Sequence, residues 1–214
     1  YCNHQFNFPP PTANSPSLLS FSEAQTLFHE FGHALHSLFS DVTYESLSGT
    51  HVPNDFVEFP SQVMENWMSE PEVLKLYAKN YKTGEVIPAD MVERMNAANK
   101  FNQGFATVEY MAAAYLDMAW HTLDDSTKLE TRVFEFSEME RLGLIPEILP
   151  RYRSTYFGHI FSGGGEYAAG YYSYLWSEVL DADAFAAFKE AGVFDRETAT
   201  RYRKMLSLGG TRPG

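Results

Sequence analysis

Apolar residues recur at three- and four-residue intervals along most of this chain, and the elements they predict are helices. A lead-in over residues 1–19, with Pro9, Pro10, Pro11 and Pro16, reads as extended. Ser20 and Glu23 form a capping box that opens a helix from Phe21 to about Phe39, and Leu27, Phe28, Phe31, Ala34, Leu35 and Leu38 give it a broad flank expected to be buried. The Thr, Ser, Tyr and Gly of residues 41–54 predict a loop or short strand. A second helix is expected from Asn54 or Asp55 to Met68 with Pro60 in its first turns, and a third, opened by Ser69 and Glu72 around Pro71, to Tyr81. Good helix formers from Pro88 to Leu123 predict one long helix, or two joined near Asn102 to Gly104. Helices over Leu129–Leu142, Tyr167–Ala191 and Asp195–Ser207 follow. Between the first two of these, the stretch Tyr156 to Gly165 reads as a mobile glycine-rich loop. The fold class is mainly α, with at most a small sheet near residues 41–52.

Composition narrows the class of partner. The 214 residues carry a formal net charge of −12, against nucleic acid and acidic membrane surfaces, both of which reward a basic patch. No apolar run reaches the roughly 18–20 residues that span a bilayer, and Tyr1 to Pro11 lack the pattern of a signal peptide. Cys2 is the only cysteine, so neither an intrachain disulfide nor a cysteine-based zinc site can form. The sequence begins without methionine and reads as a fragment whose N-terminal part is a further partner. The expected compartment is cytoplasmic, with a periplasmic or exported protein as the alternative.

The candidate chemistry starts at His29-Glu30-Phe31-Gly32-His33. Residues four apart share a helix face, so His29 and His33 can direct two imidazoles at one metal ion while Glu30 sits beside it. Zinc in such a site keeps a position open for water and lowers its pKa to about 7, and Glu30 is placed to take that proton. Gly32 inside a helix costs about 1 kcal/mol relative to alanine, which implies that a close helix or a substrate needs the space. A third ligand six residues after His33 is excluded, because that position is Phe39. The alternative is a carboxylate from a separate helix, and the stretch Asn54 to Trp67 offers Glu58 and Glu65 on one face; spacing does not choose between them. Further on, Tyr167, Tyr171 and Tyr174 fall at i, i+4 and i+7, either as a core stripe or as donors to a substrate. His36 is expected to be packed or hydrogen-bonded, and His4 and His121 have no identifiable partner.

The phrases FHEFGHALH (Phe28 to His36), SGTxxxxDFVEFPSQ (Ser48 to Gln62) and GYYSYLWSE (Gly170 to Glu178) resemble the thimet-oligopeptidase family of zinc metallopeptidases, nearest to its bacterial peptidyl-dipeptidase branch. The likeness covers nearly the whole chain. It implies a helical catalytic region beside a channel that admits short peptides, with residues 1–214 forming one such region truncated at both ends. It implies one zinc ion held by His29, His33 and Glu58, which leaves Glu65 to orient a ligand histidine. It also implies that Gly49 and Thr50, in the loop that carries His51, touch substrate backbone, and that His159, Tyr167, Tyr171 and Tyr174 line the site and hold substrate and oxyanion. The interval from His159 to Tyr167 is longer than the family pattern, with Gly165 and Glu166 as extra residues.

The function read from these features is zinc-dependent hydrolysis of unstructured oligopeptides, with Glu30 as base and later as proton donor to the leaving amine. Release of C-terminal dipeptides is favoured over internal cleavage, with Arg151 and Arg153 as candidate cations for a substrate carboxylate. Two rivals are an inactive peptide-binding domain, which needs no Glu30, and a structural zinc domain, which needs a fourth ligand.

Overall fold

The computed structural model describes residues 6–124 and 128–211 and is mainly helical. Cys2 and His4 lie outside the described residues. Ten helices run in chain order among them: α1 (Phe21–Leu38), α2 (Asn54–Val57), α3 (Phe59–Met68), α4 (Pro71–Tyr77), α5 (Ala89–Asn99), α6 (Gln103–His121), α7 (Thr131–Arg141), α8 (Gly158–Phe161), α9 (Ser173–Ala191) and α10 (Arg196–Leu206). The small sheet allowed near residues 41–52 is not formed; that stretch holds one 3₁₀ turn, Glu45–Leu47, and the described residues contain only isolated bridges, Thr12 with Ser15 and Lys79 with Val86. The chain divides into two compact units, Tyr1–Val92 with Tyr174–Gly214, and Glu93–Ser173.

In the first unit, the Ser20 capping box forms as expected, with the Glu23 N–H donating to Ser20 Oγ and the Ser20 N–H donating to Glu23 Oε2. The flank expected to be buried divides in two. Ala34 is buried, whereas Leu27, Phe31 and Leu38 are exposed, because α3 packs on the side of α1 that carries Gly32. A β-carbon at Gly32 would overlap the Pro60 carbonyl oxygen and lie 2.5 Å from Ser61 Cα, so glycine is what lets the two helices touch. Phe59, Val63 and Leu206 form the core here, with Phe56, Trp67, Leu180 and Tyr202 packed around them. Burying a side chain of this size stabilises the fold by roughly 1.5–3 kcal/mol. Trp67 also donates its Nε1–H to the Val193 carbonyl at 2.9 Å, tying α3 to the turn before α10.

Three expected elements differ, each for a local reason. The helix expected over residues 54–68 breaks at Glu58, because Pro60 has no N–H for the Phe56 carbonyl and its ring crowds that oxygen. Ser69 ends α3 in a helical conformation, which an N-cap does not adopt; Glu70 (φ −68°, ψ 132°) takes that place, and α4 stops at Tyr77, before the turn in which Asn80 Oδ1 accepts from Lys82 and Thr83 N–H. The helix expected from Tyr167 begins only at Ser173, so Tyr167, Tyr171 and Tyr174 do not share one helical face. Ala169 lies at φ +53°, and its N–H and that of Tyr171 donate to Asp117 rather than to a preceding turn of helix.

In the second unit, α6 buries Ala112, Ala113, Leu116 and Asp117. It is a separate helix from α5, with Asn102 left-handed at φ +56° between them. Trp120 packs on Phe134 of α7 with ring centroids 4.3 Å apart and donates its Nε1–H to Ser154 Oγ at 2.9 Å. The stretch expected as a glycine-rich loop carries short helical turns at Ser154–Tyr156, Gly158–Phe161 and Gly163–Gly165, with Phe157 and Ile160 almost fully buried.

Candidate active site

The first unit gathers the metal-ligating candidates at the contact of α1 with the α2–α3 junction. His29 and His33, one turn apart on α1, both turn Nε2 toward Glu58 Oε2, at 3.2 and 3.3 Å. One ligand atom from each of His29, His33 and Glu58 lies within 4.8 Å of the others, and this is the only such group of three among the described residues. Glu58 reaches this point because the backbone breaks there. Ser61, one turn on, has its hydroxyl within reach of both the Glu58 carbonyl, at 2.7 Å, and Glu58 Oε2, at 2.9 Å, and so sits against the carboxylate.

Glu65 lies on the other side of His29. Its Oε1 is 2.6 Å from His29 Nδ1, so the Nδ1–H donates to Glu65 and the Nε2 lone pair is turned to the cluster. Gln25, one turn before His29, donates from Nε2 to Glu65 Oε2 at 2.5 Å. The geometry thus separates two glutamates that spacing leaves equivalent. Ser61 and Gln25 escape a sequence reading; their only signal is their one-turn offset from Glu58 and His29.

The electrostatics favour positive charge at this point. Burial works against a charged His29, yet hydrogen bonds to Glu58 and Glu65 and their negative charge outweigh it and raise its pKa to about 9. Burial likewise opposes ionised Glu58, while the hydrogen bonds from His29 and His33 hold its carboxyl far below the usual range. Two imidazole nitrogens and one carboxylate oxygen are a donor set that zinc accepts, with room for a further oxygen. His36, next on α1, is fully buried with neither ring nitrogen partnered among the described residues; burial, with the charge of His33, lowers its pKa to about 4, so it packs as a neutral ring against Phe56.

Glu30 sits half-buried beside His29. The Gly49–Thr50 loop is fastened to the end of the same helix: Gly49, left-handed at φ +57°, packs on Ser37 and donates its N–H to Ser40 Oγ at 3.1 Å. Thr50 is exposed, and His51 Nδ1–H closes the turn on the Ser48 carbonyl at 2.8 Å. Tyr174 belongs to this unit too. Its carbonyl accepts from Gln62 Nε2 at 3.0 Å, one turn after Glu58 on α3.

The second unit brings His159, Tyr167 and Tyr171 together. The His159 ring lies 4.8 Å from Tyr167 and 5.7 Å from Tyr171, centroid to centroid. Tyr171 is 5% exposed and packs on Tyr110 and Phe157, whereas Tyr167 is 49% exposed. Burial pushes the Tyr171 hydroxyl up to about 12, so it remains a neutral donor at ordinary pH. His121 has the partner that the sequence did not reveal, donating Nδ1–H to Asp117 at 2.7 Å. Arg153 is committed to Glu135, which is buried and also accepts the Ser154 N–H at 2.7 Å; Arg151 lies over the Tyr152 ring at 5.7 Å.

The sequence model of Peptidase family M3 matches residues 3–214. Dipeptidyl carboxypeptidase of Salmonella typhimurium is 48% identical over 213 residues, which are 98% of this chain and 30% of the relative. Dipeptidyl carboxypeptidase of Escherichia coli is 44% identical over 217 residues, with the same coverage of 98% and 30%. Oligopeptidase A of Escherichia coli is 39% identical over 210 residues, covering 96% of this chain and 30% of the relative. The chain therefore spans about 30% of the length of these curated relatives.

Proposed function

This chain belongs to Peptidase family M3, and from that premise we propose that it carries the zinc site of an enzyme that hydrolyses short, unstructured oligopeptides. The observation that carries the reading is the convergence of His29 Nε2, His33 Nε2 and Glu58 Oε2, with His29 oriented from behind by Glu65. His29, His33 and Glu58 would hold one zinc ion, which when bound acidifies water and polarises a peptide carbonyl.

The protein's own groups do the rest. Glu30 takes the proton of the attacking water and returns it to the leaving amine nitrogen. Glu65 keeps the proton of His29 on Nδ1, and Ser61 keeps Glu58 from turning away. The Gly49–Thr50 loop offers backbone groups to an extended peptide. Tyr167, Tyr171, Tyr174 and His159 supply donors for the substrate and for the oxyanion; neutral donors help most there, because the charge exists only in the transition state.

Release of C-terminal dipeptides is the favoured specificity, supported by the name that the relatives at 48% and 44% identity carry, and internal cleavage is the second reading, supported by oligopeptidase A at 39%. An intact Glu30 speaks against a protein that only binds peptides, and the three-membered donor group speaks against a closed structural zinc site. The deciding test uses the protein as encoded in full, purified without added metal, with Glu30→Gln and Glu58→Ala as variants. Near one equivalent of zinc is expected in wild type and Glu30→Gln and much less in Glu58→Ala, with peptide turnover lost in both variants. Zinc retained in Glu58→Ala, or activity within about tenfold of wild type in Glu30→Gln, would overturn the assignment.

A further inference from the structure

Apart from the metal-ligating cluster, one buried carboxylate is bonded to the segment that carries two of the site tyrosines. Asp117, on α6, is 1% exposed. Its Oδ2 accepts the Tyr171 N–H at 2.8 Å, and its Oδ1 accepts the Ala169 N–H at 3.0 Å and the Nδ1–H of His121 at 2.7 Å. Ala169 is the residue at φ +53°, where the β-carbon crowds the carbonyl at a steric cost. A residue with a side chain persists in that region only where its surroundings over-determine it. Here two amides that flank the strained bond are bound to one carboxylate. The aspartate side chain presents two oxygens to these donors; an asparagine would turn an NH₂ group toward one of them.

The consequence reaches the side chains. The Tyr171 carbonyl also accepts from the Tyr110 hydroxyl, and the Tyr171 ring is wedged between Tyr110 and Phe157. His159 then lies against both Tyr167 and Tyr171. Freeing the two amides would let the Ala169–Gly170 bend relax toward ordinary φ values and rotate the backbone that carries Tyr167 and Tyr171 on either side.

We infer that Asp117, oriented by His121, is a positioning residue that clamps the Tyr167–Tyr171 segment in a strained backbone conformation and so sets where its side chains meet the substrate. This rests on the reading of Tyr167 and Tyr171 as substrate contacts. It acts through the backbone, touches no reacting atom, and belongs to a different compact unit from the metal-ligating cluster.

The test uses the protein as encoded in full, with Asp117→Asn, the double variant Asp117→Asn with Ala169→Gly, and Tyr171→Phe. In Asp117→Asn, amide exchange over residues 166–173 is expected to accelerate about tenfold or more, with zinc content unchanged. On a fluorogenic peptide, kcat is expected to fall about tenfold with KM within about threefold. Adding Ala169→Gly should restore about threefold of kcat or more, since glycine adopts positive φ without the steric cost. Unchanged exchange overturns the clamp, as does an unchanged kcat in Asp117→Asn while Tyr171→Phe is impaired, or the absence of any recovery in the double variant. If Tyr171→Phe also keeps wild-type kcat and KM, the tyrosine assignment is what fails, and exchange alone decides whether Asp117 holds the segment. Asp117→Glu, which keeps both acceptors but moves them by one methylene, carries the same measurements if Asp117→Asn does not fold.

Discussion

The Nδ1–H of His29 donates to Glu65 Oε1 across 2.6 Å, joining α1, which carries His29 and His33, to α3, whose N-cap is Glu58. This one bond decides which nitrogen of His29 is free to bind a cation. Under the proposed zinc site, Glu65, seven residues after Glu58, would act through this histidine rather than as a ligand of its own.

Glu65→Gln should therefore weaken metal binding without abolishing it. The amide retains one acceptor, but its NH₂ must then face either His29 Nδ1–H or the Gln25 amide, both donors. Competition against a chelator is expected to show zinc affinity reduced about 10–100-fold. Affinity equal to wild type would mean that the Glu65 contact does not orient the ligand.

Gly32→Ala should separate α1 from α3. Its β-carbon would meet the backbone of Pro60 and Ser61 rather than a flexible side chain, so one helix has to move. Overpacking of this kind costs about 1–3 kcal/mol, and here the movement would pull His33 away from Glu58. A lower denaturation midpoint together with weaker zinc retention is the expected result. Wild-type values for both would show that the contact is looser than the structure has it.

These two sites differ in how far the sequence reveals them. His29, Glu30 and His33 are legible because helix periodicity is local and the Ser20 box sets the helix in register. Choosing between Glu58 and Glu65 needs the break before Pro60, which changes the direction of one carboxylate relative to the other. The tyrosine segment is hidden from the sequence for the same kind of reason. Local propensity favours helix from Tyr167, but the Ala169 and Tyr171 amides find a carboxylate 52 and 54 residues away, and nothing near them in sequence announces it.

Asp181 gives the first unit a pH dependence of its own. It is 7% exposed, and burial, assisted by the charges of Glu178 and Glu65 and opposed by the hydrogen bond from Asn66, raises its pKa from 3.8 to about 6. Between these values the unfolded chain has released the proton and the folded chain has kept it, so stability falls as pH rises through the window. Above about pH 6 the loss is complete, and below about pH 4 it is absent. Asp181→Asn keeps an acceptor for Asn66 and carries no charge. Denaturant titrations should find it gaining on wild type between about pH 4 and pH 7, by up to about 3 kcal/mol. A difference between the two proteins that does not change with pH would show that Asp181 ionises as freely in the fold as out of it.

Under the proposed function, the bond that is cut would depend on how the end of the substrate is sensed. To release dipeptides, a donor must meet a free carboxylate two residues beyond the scissile bond. The sequence offers Arg151 and Arg153 for this, but they are not equivalent in the structure. Arg153 is held by buried Glu135, whose second oxygen is occupied by the Ser154 amide, so its charge is already neutralised by a partner that cannot leave without exposing a buried carboxylate. Arg151 is exposed and lies over the Tyr152 ring, in the same unit as Tyr171. If either arginine reads the carboxylate, it is Arg151. The protein as encoded in full should then remove successive dipeptides from free-acid peptides of about five to ten residues and cut their amidated counterparts far more slowly. Arg151→Gln should raise KM for the free acids by about tenfold or more while leaving the slow cleavage of the amides unchanged, because only the former lose a charge-assisted contact. Equal cleavage of acid and amide peptides at internal bonds would instead assign the protein to the oligopeptidases that cut within the chain. Dipeptide release that persists undiminished in Arg151→Gln would place the carboxylate-sensing donor elsewhere.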